Sequence, residues 1–215
     1  MHIAIAGGHG QIAMLLHPLL VARGHTVAGL IRDPAQADDL RDVGAEPVVC
    51  DLEVASSEDI AEAVGSADAV VFAAGAGPGS GAARKCSMDR DGAVKLIEAA
   101  QANGISRYVM ISAMNAETPR GNEVFQAYLR AKAEADAALR ESGLDYTIVR
   151  PGRLTNEAGR GRVAIGRELP RDDIPRADVA AVLAYVLDRN AAVDVQFDVT
   201  SGDRPIPEAI TSVAP

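Results

Sequence analysis

Short apolar runs and longer amphipathic stretches alternate along the 215-residue chain. The apolar runs are too short for helices, and they are almost wholly apolar, as parallel strands buried on both faces must be. They occupy residues 2–6, 26–31, 47–49, 69–73, 108–111, 146–149 and 195–199. Helical periodicity is found at residues 11–23, 34–43, 58–64, 88–102, 122–141 and 176–187. The alternation predicts βαβ units, and therefore an α/β, doubly wound parallel sheet with helices on both faces.

Composition and charge narrow the classes of partner. Hydrophobic residues make up 48% of the chain, which suits one globular domain. Lys and Arg number 21 against 30 Asp and Glu, a net charge of −9. Nucleic acids and anionic membranes bind clustered basic residues, so we expect neither as a partner. Cys50 and Cys86 lie in no zinc-binding or disulfide pattern, so we expect reduced thiols, no metal and a cytoplasmic location.

A glycine-rich turn, GGHGQIA at residues 7–13, joins the first apolar run to the first helix. Gly7 permits a tight turn, Gly10 lets the backbone approach a pyrophosphate, and Ala13 allows close packing of helix and sheet. The spacing is G-x-x-G-x-x-A, and its place between strand and helix favours a dinucleotide over the alternative, a plain tight turn. The residues expected to contact the cofactor here are Gly7, His9, Gly10, Gln11 and Ile12.

Arg32 follows the second apolar run, where the choice between NAD and NADP is usually made. Its guanidinium is placed to bind a 2′-phosphate in a forked geometry, which favours NADP(H) over NAD(H). The neighbouring Asp33 opposes this, although Asp33 before Pro34 also suits a helix N-cap. The alternative is a solvated arginine at the end of a strand.

Two further strand ends contribute candidate cofactor contacts. Asp51 and Leu52 follow the third run, where the carboxylate can accept from an adenine amino group and the leucine can cover the ring. Small residues follow the fourth run, and they let the chain pass close under a ribose. These are Ala73, Ala74 and Gly75.

Ser112, Tyr128 and Lys132 are the candidate catalytic residues. Tyr128 and Lys132 are four positions apart in a helical stretch, so they share one helix face. An ammonium beside a phenol lowers its pKa, and such a tyrosine exchanges a proton with a carbonyl or alcohol oxygen during hydride transfer. Ser112 ends the fifth run and can hydrogen-bond the same oxygen. The alternatives are a packed tyrosine and a solvated lysine.

These motifs resemble those of the short-chain dehydrogenase/reductase superfamily, in particular its atypical, NmrA-like, epimerase/dehydratase-like branch. Two more segments carry the likeness: GLDYTIVRPG at residues 143–152 and RADVA at residues 176–180. The resemblance implies a single NAD(P)-binding Rossmann-type domain over residues 1–215, with a small substrate-pocket portion built mainly from residues 151–215. It also implies that Pro151 approaches the nicotinamide, that Lys132 holds the ribose and that Arg150 is structural.

Three functions are compatible with these residues. The first is an NADP(H)-dependent oxidoreductase that passes hydride directly to a small carbonyl or quinone-like substrate. The second is a non-catalytic NADP(H)-binding redox sensor with a protein partner, and the third is an enzyme similar to sugar epimerases and dehydratases. The short segment after Pro151 leaves little room for a nucleotide-sugar site. We expect a monomer or weak homodimer.

Overall fold

Nine strands form one sheet in the computed structural model, which describes residues 1–77 and 79–213. Seven neighbouring strands are parallel, and two antiparallel pairings complete one edge. Six of the strands are β1 (His2–Ala6), β2 (Thr26–Ile31), β3 (Glu46–Val49), β4 (Ala69–Phe72), β5 (Arg107–Ile111) and β6 (Asp145–Pro151). Their order across the sheet, β3-β2-β1-β4-β5-β6, is that of a doubly wound sheet, which reverses between β1 and β4. Ligands bind at such a reversal because the loops on its two sides diverge there.

The far edge of the sheet is built from the last third of the chain. Strand β10 (Val195–Ser201) runs parallel to β6, and β8 (Arg162–Gly166) pairs with β10 in the antiparallel direction. The two-residue strand β11 (Arg204–Pro205) closes this edge against β8. A separate two-stranded parallel sheet pairs β7 (Arg153–Thr155) with β9 (Asp173–Pro175) beyond the end of β6.

Helices cover both faces of the sheet. They are α1 (Gln11–Val21), α2 (Ala37–Asp42), α3 (Ser57–Val64), α4 (Ala82–Arg84), α5 (Ala93–Ala102), α6 (Glu123–Glu141), α7 (Arg176–Asp188) and α8 (Ile206–Thr211). A π-helical segment, Lys85–Gly92, joins α4 to α5, and a 3₁₀ turn, Pro34–Gln36, precedes α2. No helix of the described residues is both long and apolar enough to span a membrane.

Side chains alternate between the two faces along each strand, as the period of a strand requires. In β1, Ile3 and Ile5 pack into the core that also holds side chains of α1 and α7. Ala4 and Ala6 point the other way, into the core formed with α3, α5 and α6. Each strand therefore stabilises two apolar layers at once, and its carboxyl end is left at the surface.

The structure confirms the predicted fold and extends it. Each of the seven predicted strands is present, with bounds shifted by a residue or two. The fourth helical stretch was predicted to begin at Met88, but helical structure begins at Ala82 and includes the π-helical segment. Strands β7, β8, β9 and β11 and helix α8 were not predicted, and they all lie within residues 151–215.

Candidate functional site

A groove crosses the carboxyl ends of the parallel strands and contains two adjoining cavities. The small cavity has a volume of about 380 Å³ and lies over β1 to β4. The large cavity, of about 800 Å³, lies over β4 to β6. Residues 73–77, which follow β4, line both cavities and form their common wall. The groove therefore runs across the point where the strand order reverses.

The glycine turn is folded tightly against the sheet. Gly7 has a φ of +80°, and a Cβ there would lie 2.6 Å from the Cα of Ala74. Only glycine fits such a position. A Cβ on Gly10 would lie 3.0 Å from the Gly7 carbonyl oxygen, so this position is less crowded by the protein itself. Ala13 is a fully buried residue of helix α1, as its predicted packing role requires.

The predicted contacts of this turn divide between the two cavities. Gly7, His9 and Gly10 line the small cavity, and Ile12 lines the large one. Gln11 is exposed and lines neither cavity. The first backbone amides of α1 have no carbonyl partner within the helix, and such amides at a helix N-terminus suit a pyrophosphate.

His17 supports the glycine turn through a hydrogen bond, a role that the sequence did not predict. This fully buried side chain donates from Nε2 to the Gly8 carbonyl oxygen at 2.7 Å. Burial lowers the pKa of His17, so the imidazole is neutral and carries its proton on Nε2. Gly8 also packs on Gly29 of β2, where a Cβ on Gly8 would lie 2.7 Å from the Gly29 Cα. In the sequence, the signal for this close packing is one glycine in the turn, Gly8, and one in the next strand, Gly29.

The lining of the small cavity fits the nucleotide half of a dinucleotide. Arg32 lines it, is exposed, and has no salt bridge among the described residues. Asp51 and Leu52 line the same cavity, and Leu52 is buried. The residues present thus fit the nucleotide half of a dinucleotide, with an apolar surface for a base and a free guanidinium for a phosphate.

Arg84 also lines the small cavity and was not identified from the sequence. Its guanidinium donates two hydrogen bonds to Glu53 Oε2, at 3.0 and 2.9 Å. This ion pair joins the start of the π-helical segment to the loop after β3. His9, across the cavity, forms a 2.7 Å contact between Nε2 and Asp39 Oδ2.

The common wall is held by Asp89, a π-helical residue that is 1% exposed. Its Oδ2 accepts a hydrogen bond from the Ala76 amide at 3.2 Å. A Cβ on Gly75 would lie 3.2 Å from Asp89 Oδ1, so a larger residue would crowd the carboxylate. Ala73, Ala74 and Gly75 have small side chains or none, so this wall leaves room for a ribose to approach the backbone closely.

Lys132 is held by protein groups. Its ammonium donates to the Ile111 carbonyl oxygen at 3.0 Å and lies 3.3 Å from Asp89 Oδ1. The lysine side chain is only 4% exposed, although it lines the large cavity. Lys132 therefore links its own helix, α6, to β5 and to the π-helical segment.

The phenol of Tyr128 faces the large cavity, and its hydroxyl has no hydrogen-bond partner among the described residues. Burial raises the pKa of this phenol, and the negative charges of Asp89 and Asp136 raise it further. The expected lowering of the Tyr128 pKa by Lys132 is therefore wrong, because burial and the charges of two carboxylates act in the opposite direction. Lys85 is the cation over the ring, with Nζ 5.2 Å from the ring centroid.

Ser112 differs from its expected orientation. It lines the large cavity, but its hydroxyl donates to Asp136 Oδ2 at 2.9 Å. The same carboxylate oxygen accepts from Arg150 at 2.9 and 2.6 Å. The hydroxyl proton is therefore committed to the buried ion pair, and only its lone pairs are left for a ligand. Arg150 is structural, as the resemblance implied, and Pro151 at the end of β6 lines the large cavity.

Comparison with known proteins identifies the family of this chain. The family described as NAD(P)H-binding matches residues 7–190. The uncharacterized sugar epimerase YhfK of Bacillus subtilis (strain 168) is 41% identical over 212 residues, which are 98% of this chain and 99% of that protein. Two solved structures are also similar over nearly the whole chain.

The first of these, from Bacillus halodurans and provisionally named an NAD-dependent epimerase/dehydratase, has a TM-score of 0.93 and 38% identity, and covers 99% of this chain and 100% of its own. The second, the oxidoreductase ylbE from Lactococcus lactis, has a TM-score of 0.88 and 26% identity, with coverages of 99% and 96%. These matches agree with the groove over the strand ends. The chain therefore belongs to the family described as NAD(P)H-binding, it has a Rossmann-type fold, and it is similar to proteins named as epimerases and as an oxidoreductase.

Proposed function

We propose that the protein is an NADP(H)-dependent reductase of a small carbonyl or quinone-like substrate. The observation that carries the proposal is the unpartnered Tyr128 hydroxyl in a cavity of about 800 Å³. That cavity shares the wall of residues 73–77 with the cavity that suits the nucleotide. A substrate oxygen at Tyr128 is then next to the place where a nicotinamide would lie, beside Pro151 and Ile12.

The residues have distinct roles in this reaction. When bound, the cofactor supplies a hydride. Tyr128 keeps its proton because its pKa is raised, and it gives that proton to the substrate oxygen as negative charge develops there. An alkoxide is a far stronger base than a phenolate, so the transfer is favourable. Lys132 and Asp89 fix the helix that carries Tyr128, and Ser112 positions the cavity wall through Asp136.

The preference for NADP(H) rests on Arg32. An exposed guanidinium just after β2, with no salt bridge in the described part of the chain, suits a 2′-phosphate. The 2′-hydroxyl of NAD(H) offers no charge to it. The Arg32 side chain therefore favours the phosphorylated cofactor.

The raised pKa argues against the epimerase-like alternative. Epimerisation through a transient ketone begins with removal of a proton from an alcohol, and a tyrosine does this as a phenolate. Burial and two carboxylates hold Tyr128 in its protonated form. Its charge state therefore suits the reductive direction.

A redox sensor remains the second candidate, and one observation favours it. Lys132 and the Ser112 hydroxyl are both engaged by protein groups, as they would be in a purely structural arrangement. A sensor needs the cofactor site and a protein partner but no proton donor.

The deciding experiment follows NADPH absorbance with a panel of aldehydes, ketones and quinones, first for the native chain and then for Tyr128→Phe. For a reductase, we expect turnover of the best substrate to fall by about 10²–10⁴-fold in the variant, because the proton donor is lost, with NADPH affinity nearly unchanged. Tyr146→Phe is the matched control, since Tyr146 lines neither cavity of the groove. Full activity in Tyr128→Phe would remove Tyr128 from catalysis, and a panel with no NADPH consumption despite tight NADPH binding would favour the sensor.

A further inference from the structure

The large cavity carries the opposite charge to the chain as a whole. The protein has a net charge of −9. Six cationic side chains and one carboxylate, Asp89, line this cavity. The cations are Lys85, Arg120, Lys132, Arg153, Arg171 and Arg176. A cleft lined by one sign of charge concentrates ligands of the other sign.

Four of these cations are not neutralised by the protein. Lys132 pairs with Asp89, and Arg153 pairs with Asp173. The other four, Lys85, Arg120, Arg171 and Arg176, form no salt bridge among the residues that the structure describes. An unpaired cation at a wall is electrostatically complementary to an anion.

Neutral contacts hold three of the four in place. Lys85 donates to the Gly77 carbonyl oxygen at 2.9 Å, and Arg176 donates to Asn156 Oδ1 at 2.8 Å. The Arg171 guanidinium carbon lies 5.8 Å from the centroid of the Phe125 ring. These contacts fix the side chains and leave their charge available.

The four cations lie apart from the expected cofactor phosphates. None of them lines the small cavity, where Arg32 and Arg84 are the basic residues. Arg120 follows β5, Arg171 precedes β9 and Arg176 begins α7, so three separate segments outside the glycine turn bring these cations to the large cavity. Apolar and aromatic side chains, including Met114, Phe125 and Leu154, line the same cavity.

We propose that the substrate is an anion: an apolar body bearing the reducible carbonyl, with a carboxylate or phosphate group that binds Arg171 and Arg176. This inference rests on the proposed reductase function for the carbonyl, and it names the substrate class of the same site. Hydrogen bonds from charged groups contribute more than neutral ones, so an anionic substrate gains affinity that a neutral analogue lacks.

Matched aldehydes test the proposal. With NADPH, we compare 4-carboxybenzaldehyde with its methyl ester, and 4-formylphenyl phosphate with 4-methoxybenzaldehyde. We expect kcat/KM to be at least about tenfold higher for one or both anions, and the two pairs show which anion is preferred. Arg171→Gln and Arg176→Gln should each reduce that ratio, and the double variant should bring it near one. Arg204→Gln, an exposed arginine on β11 outside the groove, should leave the ratio unchanged. Equal kcat/KM within both pairs, or ratios unchanged in the double variant, would overturn the inference.

A binding measurement separates this inference from the proposed function. Calorimetric titration of the protein saturated with NADP⁺ gives the affinity of each aldehyde without turnover. If the anions bind at least about tenfold more tightly than the neutral partners and the double variant abolishes the difference, the anion site stands even when no aldehyde is reduced. If neither anion binds more tightly than its partner, the inference fails, whether or not reduction is observed. Thermal unfolding of each variant shows that a lost preference is not lost folding.

Discussion

At the residue scale, the charged groups around each candidate side chain determine its protonation and its hydrogen bonds. The sequence placed Tyr128 and Lys132 on one helix face because they are four positions apart, and this is correct. It could not show that Asp89 would occupy the ammonium, because Asp89 comes from a distant segment and reaches Lys132 only through the fold. The predicted low pKa of the Tyr128 phenol is wrong chiefly because the phenol is buried, and Asp89 and Asp136 raise its pKa further.

His17 gives a prediction about acid stability. Burial lowers its pKa in the folded chain, while in the unfolded chain the pKa returns to about 6.5. Above this value both states hold a neutral imidazole. As the pH falls below it, the unfolded chain binds a proton that the folded chain excludes, so the free energy of unfolding decreases.

We expect thermal unfolding between about pH 8 and pH 5, followed by circular dichroism, to show this loss in the native chain. His17→Gln, whose amide can still donate to the Gly8 carbonyl, should show a smaller loss over the same range. His2→Gln is the control and should retain the native pH dependence, since His2 is not part of the buried turn. The same slope in His17→Gln as in the native chain would contradict the assignment.

At the scale of the element, strongly periodic segments were predictable and short or broken ones were not. Strands β1, β2 and β4 are runs of apolar residues, so their hydrophobicity identifies them. Strands β7 and β9 have three residues each and exist only because they pair with one another. The π-helical segment Lys85–Gly92 has too few apolar residues to show helical periodicity, yet it buries Met88 and Asp89.

The turn before α1 gives the element-scale prediction. A side chain on Gly10 enters the space where the backbone meets a pyrophosphate, while the nearest protein atom is the Gly7 carbonyl oxygen at 3.0 Å. We therefore expect Gly10→Val to abolish NADPH binding, measured by fluorescence titration, with the chain still folded by circular dichroism. Gly81→Val is the control, because no atom lies within 4 Å of a Cβ there. Unchanged affinity in Gly10→Val would place the phosphates elsewhere.

At the scale of the whole molecule, the strand topology determines where the groove lies, and the packing of distant segments determines which charged side chains line it. Because parallel strands share one carboxyl edge, the residues after β1 to β6 had to meet in one groove, and the sequence predicted this. Arg120, Arg171 and Arg176 are separated along the chain and have no motif, so their convergence on one cavity required the structure.

The net charge of −9 bears on cofactor choice. A negative protein repels an anionic ligand at long range, so the proposed preference for NADPH requires a local attraction for its additional phosphate, and Arg32 is the residue proposed to supply it. We expect calorimetry to show that NADPH binds at least about tenfold more tightly than NADH, a difference of about 1.4 kcal/mol, and that added salt reduces this ratio. Arg32→Ala should remove most of the preference, while Arg23→Ala, on a surface away from both cavities, should keep it. Equal affinities in the native chain would remove Arg32 from this role.

The wall of residues 73–77 has a thermodynamic consequence. It lines both cavities, and Asp89 holds it through the Ala76 amide. Ligands in the two cavities therefore share this wall of five residues. If one ligand shifts the wall, the shape of the cavity that binds the other ligand changes too. Linkage requires the effect to be reciprocal: the factor by which one ligand changes the affinity for the second equals the factor by which the second changes the affinity for the first.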